Sequence, residues 1–136
     1  MPIGKCSNRL IYLLTGLLLF VTEVLIALYV HDSIIRPHIG DLLVVIMIYC
    51  FVRAILNTGI VTAAVATLAF AYLIEILQYF KIVKLLGLDH LLWARVIIGT
   101  HFSWIDMLAY TAGIALVLVL EKIVTRRKIL ITSNTN

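Results

Sequence analysis

Four apolar runs of nearly membrane-spanning length leave this chain little freedom over what it can fold into. A helix that crosses a bilayer needs about 20 predominantly apolar residues at about 1.5 Å each. Residues 10–30, 42–56, 60–80 and 104–124 approach or meet that length. The first run is interrupted by Thr15, Gly16, Thr22 and Glu23, and the second, which is short, closes on Arg53 and Asn57. The third carries Glu75 and Gln78, and the fourth carries Asp106 and ends at Glu121 and Lys122. In water, a chain of 136 residues with 63% hydrophobic and 13% charged residues could not bury its apolar surface, since soluble domains are about half apolar and a quarter charged. A disordered tail, a nucleic-acid-binding module and a disulfide-rich secreted fold are excluded on the same ground. The reading is an all-α polytopic membrane protein whose first partner is the lipid bilayer, with no nucleic acid among its partners.

The formal net charge is +4, but the basic residues stand at the ends of apolar runs, where they read as topology signals rather than a phosphate-binding patch. Cys6 and Cys50 are too few and too differently placed for a disulfide framework, and Cys50, inside an apolar run, reads as a buried, inert thiol. Lys5 and Arg9 followed by an apolar run imitate a signal peptide. The run is too long for an h-region and no small-x-small cleavage site follows, so an uncleaved first membrane helix is expected.

Residues 31–41, with Pro37 and Gly40, predict a short loop, and Asn57-Thr58-Gly59 a tight turn. Residues 81–103 interleave apolar pairs with Lys81, Lys84, Asp89, His90 and Arg95, a pattern for an interfacial or re-entrant segment between the third and fourth helices rather than a fifth span. Residues 1–125 thus form one four-helix domain, followed by a polar, basic tail over 126–136. With four spans, Lys5, Arg9, Arg53, Lys122, Arg126, Arg127 and Lys128 fall on one side, against Arg36, Lys81, Lys84 and Arg95 on the other. Seven against four puts both termini in the cytoplasm by the positive-inside rule.

Ionisable side chains inside spanning segments cost about 2.5–3.5 kcal/mol each on insertion scales and face a bundle interior or cavity. On this topology Glu23, Asp41, Glu75, Gln78 and Asp106 all lie toward the outer leaflet, and Arg36 and Arg95 belong to the outer loops. Glu75 and Gln78 share one helix face, as do Asp106, Tyr110 and Gly113. Ala63, Thr67 and Ala71 form a small-residue stripe, repeated by Ala109 and Gly113, that would let the third and fourth helices pack closely. Together these place Glu75, Gln78 and Asp106 in one pocket, with Arg95 arriving from the loop to neutralise a carboxylate. Asp41 and Asp106 have a plainer reading as N-caps or as charges at a helix dipole. Trp93, Trp104, Tyr79 and Tyr110 also read as interfacial aromatics, and Arg53 as a snorkelling side chain. Glu75, about five residues from a helix end, gains nothing as a cap. His31, His38, His90 and His101 read as loop residues without metal-ligand spacing, so no metal is expected. No cofactor and no catalytic motif is indicated.

Glu75-Ile-Leu-Gln78, then Arg95, then Asp106 and Gly113, resemble the VanZ-like membrane family, which carries Glu-x-x-Gln, a loop Arg and Asp-x-x-x-Asn-x-x-Gly in that order. Tyr110 stands where that family has Asn. The chain as a whole resembles a group of small bacterial membrane proteins known only as a domain of unknown function. The resemblance covers roughly residues 8–125, through Arg36-Pro37-x-x-Gly40-Asp41, Tyr49-Cys50-x-x-Arg53, Glu75-x-x-Gln78-Tyr79 and Trp104-x-Asp106. It implies a bacterial inner-membrane protein connected with the cell envelope, the VanZ-like family being associated with glycopeptide resistance.

The leading expectation is therefore an outward polar pocket at Glu23, Arg36, Asp41, Glu75, Gln78, Arg95, Asp106 and Tyr110 that binds an envelope amphiphile or a glycopeptide. A small transporter or ion- or proton-conducting subunit, in which a homo-oligomer encloses the pathway, is one alternative. A structural or accessory subunit whose buried charges only specify helix register is another. The transporter reading needs polar residues through the full depth, and the cytoplasmic half offers little beyond Arg53, Asn57 and small hydroxyls.

Overall fold

The computed structural model describes the backbone of residues 3–32, 35–97 and 101–135, and the side chains of 8–32, 36–95 and 101–135. Among the described residues the chain is helical and has no strand. Its elements are α1 (Ile3–Tyr29), α2 (Ile35–Ile55), α3 (Ile60–Tyr79), the short α4 (Ile82–Leu85) and α5 (Leu92–Ile97), and α6 (Trp104–Ser133). Four of them contain stretches long and apolar enough to cross a membrane: Asn8–Tyr29, Arg36–Ile55, Ile60–Tyr79 and Trp104–Ser133. The fold is an all-α bundle of that kind.

Two boundaries differ from the sequence expectation. Helix α2 begins at Ile35 instead of residue 42, taking in most of the expected loop. Pro37 permits this because a proline in the first turn lacks only an N–H that would have no intrahelical partner anyway. Helix α6 continues to Ser133, so most of the expected tail is helical. Its Arg126-Arg127-Lys128 run consists of good helix formers with no glycine or proline to stop it. At about 1.5 Å per residue its 30 residues outrun a hydrocarbon core of about 30 Å.

The helix ends are closed by specific groups. Arg9 donates from Nε to the carbonyl of Ala54 at 2.8 Å and from Nη2 to that of Ile55 at 3.0 Å, satisfying the open C-terminal carbonyls of α2. Ser103 caps α6 by accepting from the backbone N–H of Asp106 at 3.4 Å. Between α3 and α6, Lys81 (φ 53°) and Gly87 (φ 68°) turn the chain through left-handed conformations on either side of α4. Neither α4 nor α5 can span a bilayer. Val83 and Ala94 anchor this segment in the interior, while Leu85, Leu86, Leu92 and Trp93 are exposed.

Helix α2 is the hub: it packs against α1, α3 and α6, and α3 also packs against α6. The core is made by Val45, Tyr49 and Cys50 of α2, Ala63, Ala64 and Ala71 of α3, and Tyr110, Ile114 and Val117 of α6. The stripe on α3 is buried as expected, with Thr67 returning its hydroxyl to the carbonyl of Ala63 at 2.8 Å. The matching glycine is not against α3. A Cβ on Gly113 would lie 2.4 Å from Val45 Cγ1 and 3.0 Å from the carbonyl oxygen of Leu42, so Gly113 admits α2. Most of the large apolar side chains of α1 face outward, as a lipid-facing surface requires. Lys128 donates to Asn8 Oδ1 at 3.3 Å, which sets the start of α1 and the end of α6 at the same end of the bundle.

Candidate functional site

At the opposite end of the bundle, carboxylates from four helices converge. Glu75 of α3 is 1% exposed. Its Oε1 accepts from the hydroxyl of Tyr110 at 3.2 Å and its Oε2 from the backbone N–H of Ser103 at 3.3 Å. Asp106 stands one turn before Tyr110 on α6, and a carboxylate oxygen of Asp41 on α2 lies within 4.8 Å of one of its own. The carboxylates of Glu75 and Glu23 are near enough to act electrostatically on Asp41 as well. Glu23, on α1, lies against Gly40: a Cβ built there would stand 3.5 Å from its Oε2, while its Oε1 is buried with no hydrogen-bond partner among the described residues.

The early start of α2 changes what two residues do. Asp41 lies well inside the helix, so its reading as an N-cap is withdrawn; Asp106 stands in the first turn of α6, where the dipole favours it, but the cap is Ser103. His38, expected in a loop, is on α2 three residues before Asp41, which places the two on one face. Its Nδ1 is 3.8 Å from Asp106 Oδ1, with the side chains 39% and 19% exposed. His38, Asp41 and Asp106 each offer one ligand atom, all within 4.8 Å of one another. An imidazole with two carboxylates is a donor set for a divalent cation, a grouping that sequence spacing did not indicate.

Of the eight residues singled out from the sequence, Glu23, Asp41, Glu75, Asp106 and Tyr110 come together. Gln78 is half-buried one turn beyond Glu75. Arg36, near the start of α2, and Arg95, on α5, are exposed, and the hydrogen bonds described at Glu75 come from the Ser103 N–H and the Tyr110 hydroxyl. Tyr110 is buried, not an interfacial aromatic.

The sequence reading missed a second polar network at the other end of the α2–α6 seam. Glu121 Oε1 accepts from the hydroxyls of Tyr12 and Tyr49, the latter at 2.8 Å. Arg53 donates to the carbonyl of Thr58 and, at 3.4 Å, to the hydroxyl of Tyr12, with its guanidinium carbon 4.9 Å above the Tyr12 ring. Arg53 is thus held inside the bundle, not merely drawn to its surface. The available signal was spacing: Asp41, Val45, Tyr49 and Arg53 recur every four residues, and Tyr110, Ile114, Val117 and Glu121 every three to four.

Residues 30–114, more than half of the chain, match the family described as Protein of unknown function (DUF2809). The chain belongs to the DUF2809 family. In this DUF2809 protein the matched stretch takes in His38, Asp41, Glu75, Asp106 and Tyr110, and stops short of Glu23, Tyr12 and Glu121. No curated protein and no solved structure matches the chain. The VanZ-like resemblance finds no support in these comparisons.

Proposed function

We propose that this DUF2809 protein binds an amphiphile of the cell envelope by a polar head rich in hydrogen-bond donors or positive charge. The observation that carries the reading is the convergence of Glu23, Asp41, Glu75 and Asp106 from four different helices at one end of the bundle. Carboxylates accept hydrogen bonds and attract cations. Like charges gathered in a weakly solvated site cost free energy that a cationic or donor-rich head would offset. The exposed apolar flanks of the bundle suit a ligand that stays in the bilayer. On the lysine and arginine distribution, the carboxylate end faces outward and both termini lie in the cytoplasm. The VanZ-like resemblance favours an envelope lipid or a glycopeptide as the ligand class.

The test is thermal stability of the purified protein in detergent, for wild type and Glu75→Gln, across a panel of envelope lipids and glycopeptides. A compound that stabilises wild type and not the variant supports the reading and gives the ligand class. If no compound stabilises wild type, the binding reading fails and the carboxylates are architectural.

The Glu121 network favours a second reading, an ion- or proton-conducting subunit, because it puts ionisable groups at both ends of the α2–α6 seam. Val45, Ile114 and Val117 fill the seam between them, so conduction requires that this apolar layer open. Proton flux in proteoliposomes above the protein-free leak would favour conduction, and none would leave binding as the function.

A further inference from the structure

Helices α1 and α6 are bridged by long polar side chains, Tyr12 to Glu121 and Asn8 to Lys128, and do not pack closely along their length. A cavity of about 480 Å³ lies between them, floored by α2. That volume is within the range of about 300–1,000 Å³ common for small-ligand sites, which are mostly apolar with a few placed polar groups. Ile11, Ile46, Val117, Leu120 and Val124 supply apolar wall, and Arg53 and Lys128 supply positive charge. The carboxylate on this lining is already engaged, since Glu121 accepts from two tyrosine hydroxyls. Arg53 has donors to spare: Nη1 and Nη2 each have one acceptor, while the buried Nε has none among the described residues. A guanidinium carries five donors and matches phosphate oxygens in geometry.

We propose that this cavity is a binding site for an anionic phospholipid of the surrounding bilayer. An acyl chain lies along the apolar wall, and the headgroup phosphate accepts from Arg53, with Lys128 at the rim. Charge complementarity selects this occupant: Arg53 and Lys128 are the basic residues on the lining, and its one carboxylate, Glu121, is taken up by two tyrosine hydroxyls. Basic pockets between membrane helices recognise anionic headgroups. The site is separate from the carboxylate end and does not depend on the function proposed there.

The experiment is native mass spectrometry of the purified full chain in detergent, with equimolar phosphatidylglycerol and phosphatidylcholine of identical acyl chains. Wild type is expected to retain the anionic lipid preferentially. Arg53→Gln and Lys128→Gln should each reduce that preference about fivefold, from the contribution of one basic residue near an anionic headgroup. Thr15→Trp, which places a bulky ring on the cavity lining, should remove both adducts. Arg127→Gln, at a residue that does not line the cavity, should leave the preference unchanged. Equal retention of the two lipids by wild type overturns the proposal, as does undiminished lipid retention by Thr15→Trp. An effect of Arg127→Gln as large as that of Lys128→Gln would also overturn it, because the preference would then belong to the basic rim. If Arg53→Gln does not fold, Lys128→Gln decides, since Lys128 is exposed and donates to the exposed Asn8.

Discussion

The hydroxyl of Tyr110 on α6 donates to Oε1 of Glu75 on α3 across 3.2 Å, and both side chains are withdrawn from solvent. This bond ties a buried carboxylate to the helix beside it, and the Ser103 N–H holds the other oxygen. Tyr110→Phe deletes one donor with little change of shape. Hydrogen bonds between membrane helices are worth about 1 kcal/mol, somewhat more when one partner is charged. Tyr110→Phe is therefore expected to lower stability by about 1 kcal/mol in thermal unfolding in detergent. With Glu75→Gln, the double variant should lose less than the sum of the single losses, because the two residues act through one bond. Strict additivity would show that the bond contributes nothing.

Gly113 sets how closely α2 and α6 approach. A methyl group there meets Val45 Cγ1 at 2.4 Å and the Leu42 carbonyl oxygen at 3.0 Å, and the backbone atom cannot rotate away. Overpacking of this kind costs about 1–3 kcal/mol. Gly113→Ala should fall in that range and Gly113→Val should be worse. Val45→Ala combined with Gly113→Ala should recover part of the loss and not all of it, since the Leu42 contact remains. Thermal unfolding of the three variants measures this, and a neutral Gly113→Val would mean that the crossing is looser than described.

Glu121 joins three helices, because Tyr12 of α1 and Tyr49 of α2 both donate to it on α6. Removing the shared acceptor leaves both hydroxyls with nothing to donate to, although Arg53 still donates to that of Tyr12, whereas removing one hydroxyl leaves the carboxylate one donor. An unsatisfied buried polar group costs about 1–3 kcal/mol. Glu121→Ala should therefore destabilise more than either Tyr12→Phe or Tyr49→Phe, and loosen α1 most, since it packs chiefly on α2. Hydrogen exchange along residues 8–29 reads the second effect. Unchanged exchange in Glu121→Ala would show that α1 is held without the Tyr12–Glu121 bond.

The four spans were legible because apolar length is itself the signal, and the buried stripe of Ala63, Thr67 and Ala71 because small residues at helical spacing mean close packing in lipid. Glu75 was legible as a buried carboxylate too far from a helix end to be a cap. The start of α2 was not. Pro37 and Gly40 read as a break, and a proline's tolerance in a first turn depends on where the helix begins, which composition does not fix. Once α2 starts at Ile35, His38 and Asp41 fall on one face, so the missed histidine follows from the missed boundary. The partner of Gly113 was misassigned because a small residue announces a close approach without naming the helix that makes it. Glu121 was overlooked because it closes an apolar run, and only the tertiary arrangement brings Tyr12 and Tyr49 to it.

Asp41 gives the sharpest separation between a binding site and an architectural device. Its carboxylate stands beside that of Asp106 and within electrostatic reach of Glu75 and Glu23, and the base recorded at this cluster is His38. Neighbouring like charges destabilise the fold that holds them, and sites kept for a ligand commonly oppose stability in this way. Asp41→Asn keeps the shape and removes one ionisable carboxyl group from the cluster. If the cluster exists to receive a cationic or donor-rich head, Asp41→Asn should raise the stability of the ligand-free protein by about 1 kcal/mol, and abolish the stabilisation that any ligand gives wild type. If the charges only fix helix register, the same change should leave stability equal or lower. Thermal unfolding of wild type and Asp41→Asn in detergent without added ligand distinguishes the two, and a destabilised Asp41→Asn would count against a ligand at this end of the bundle.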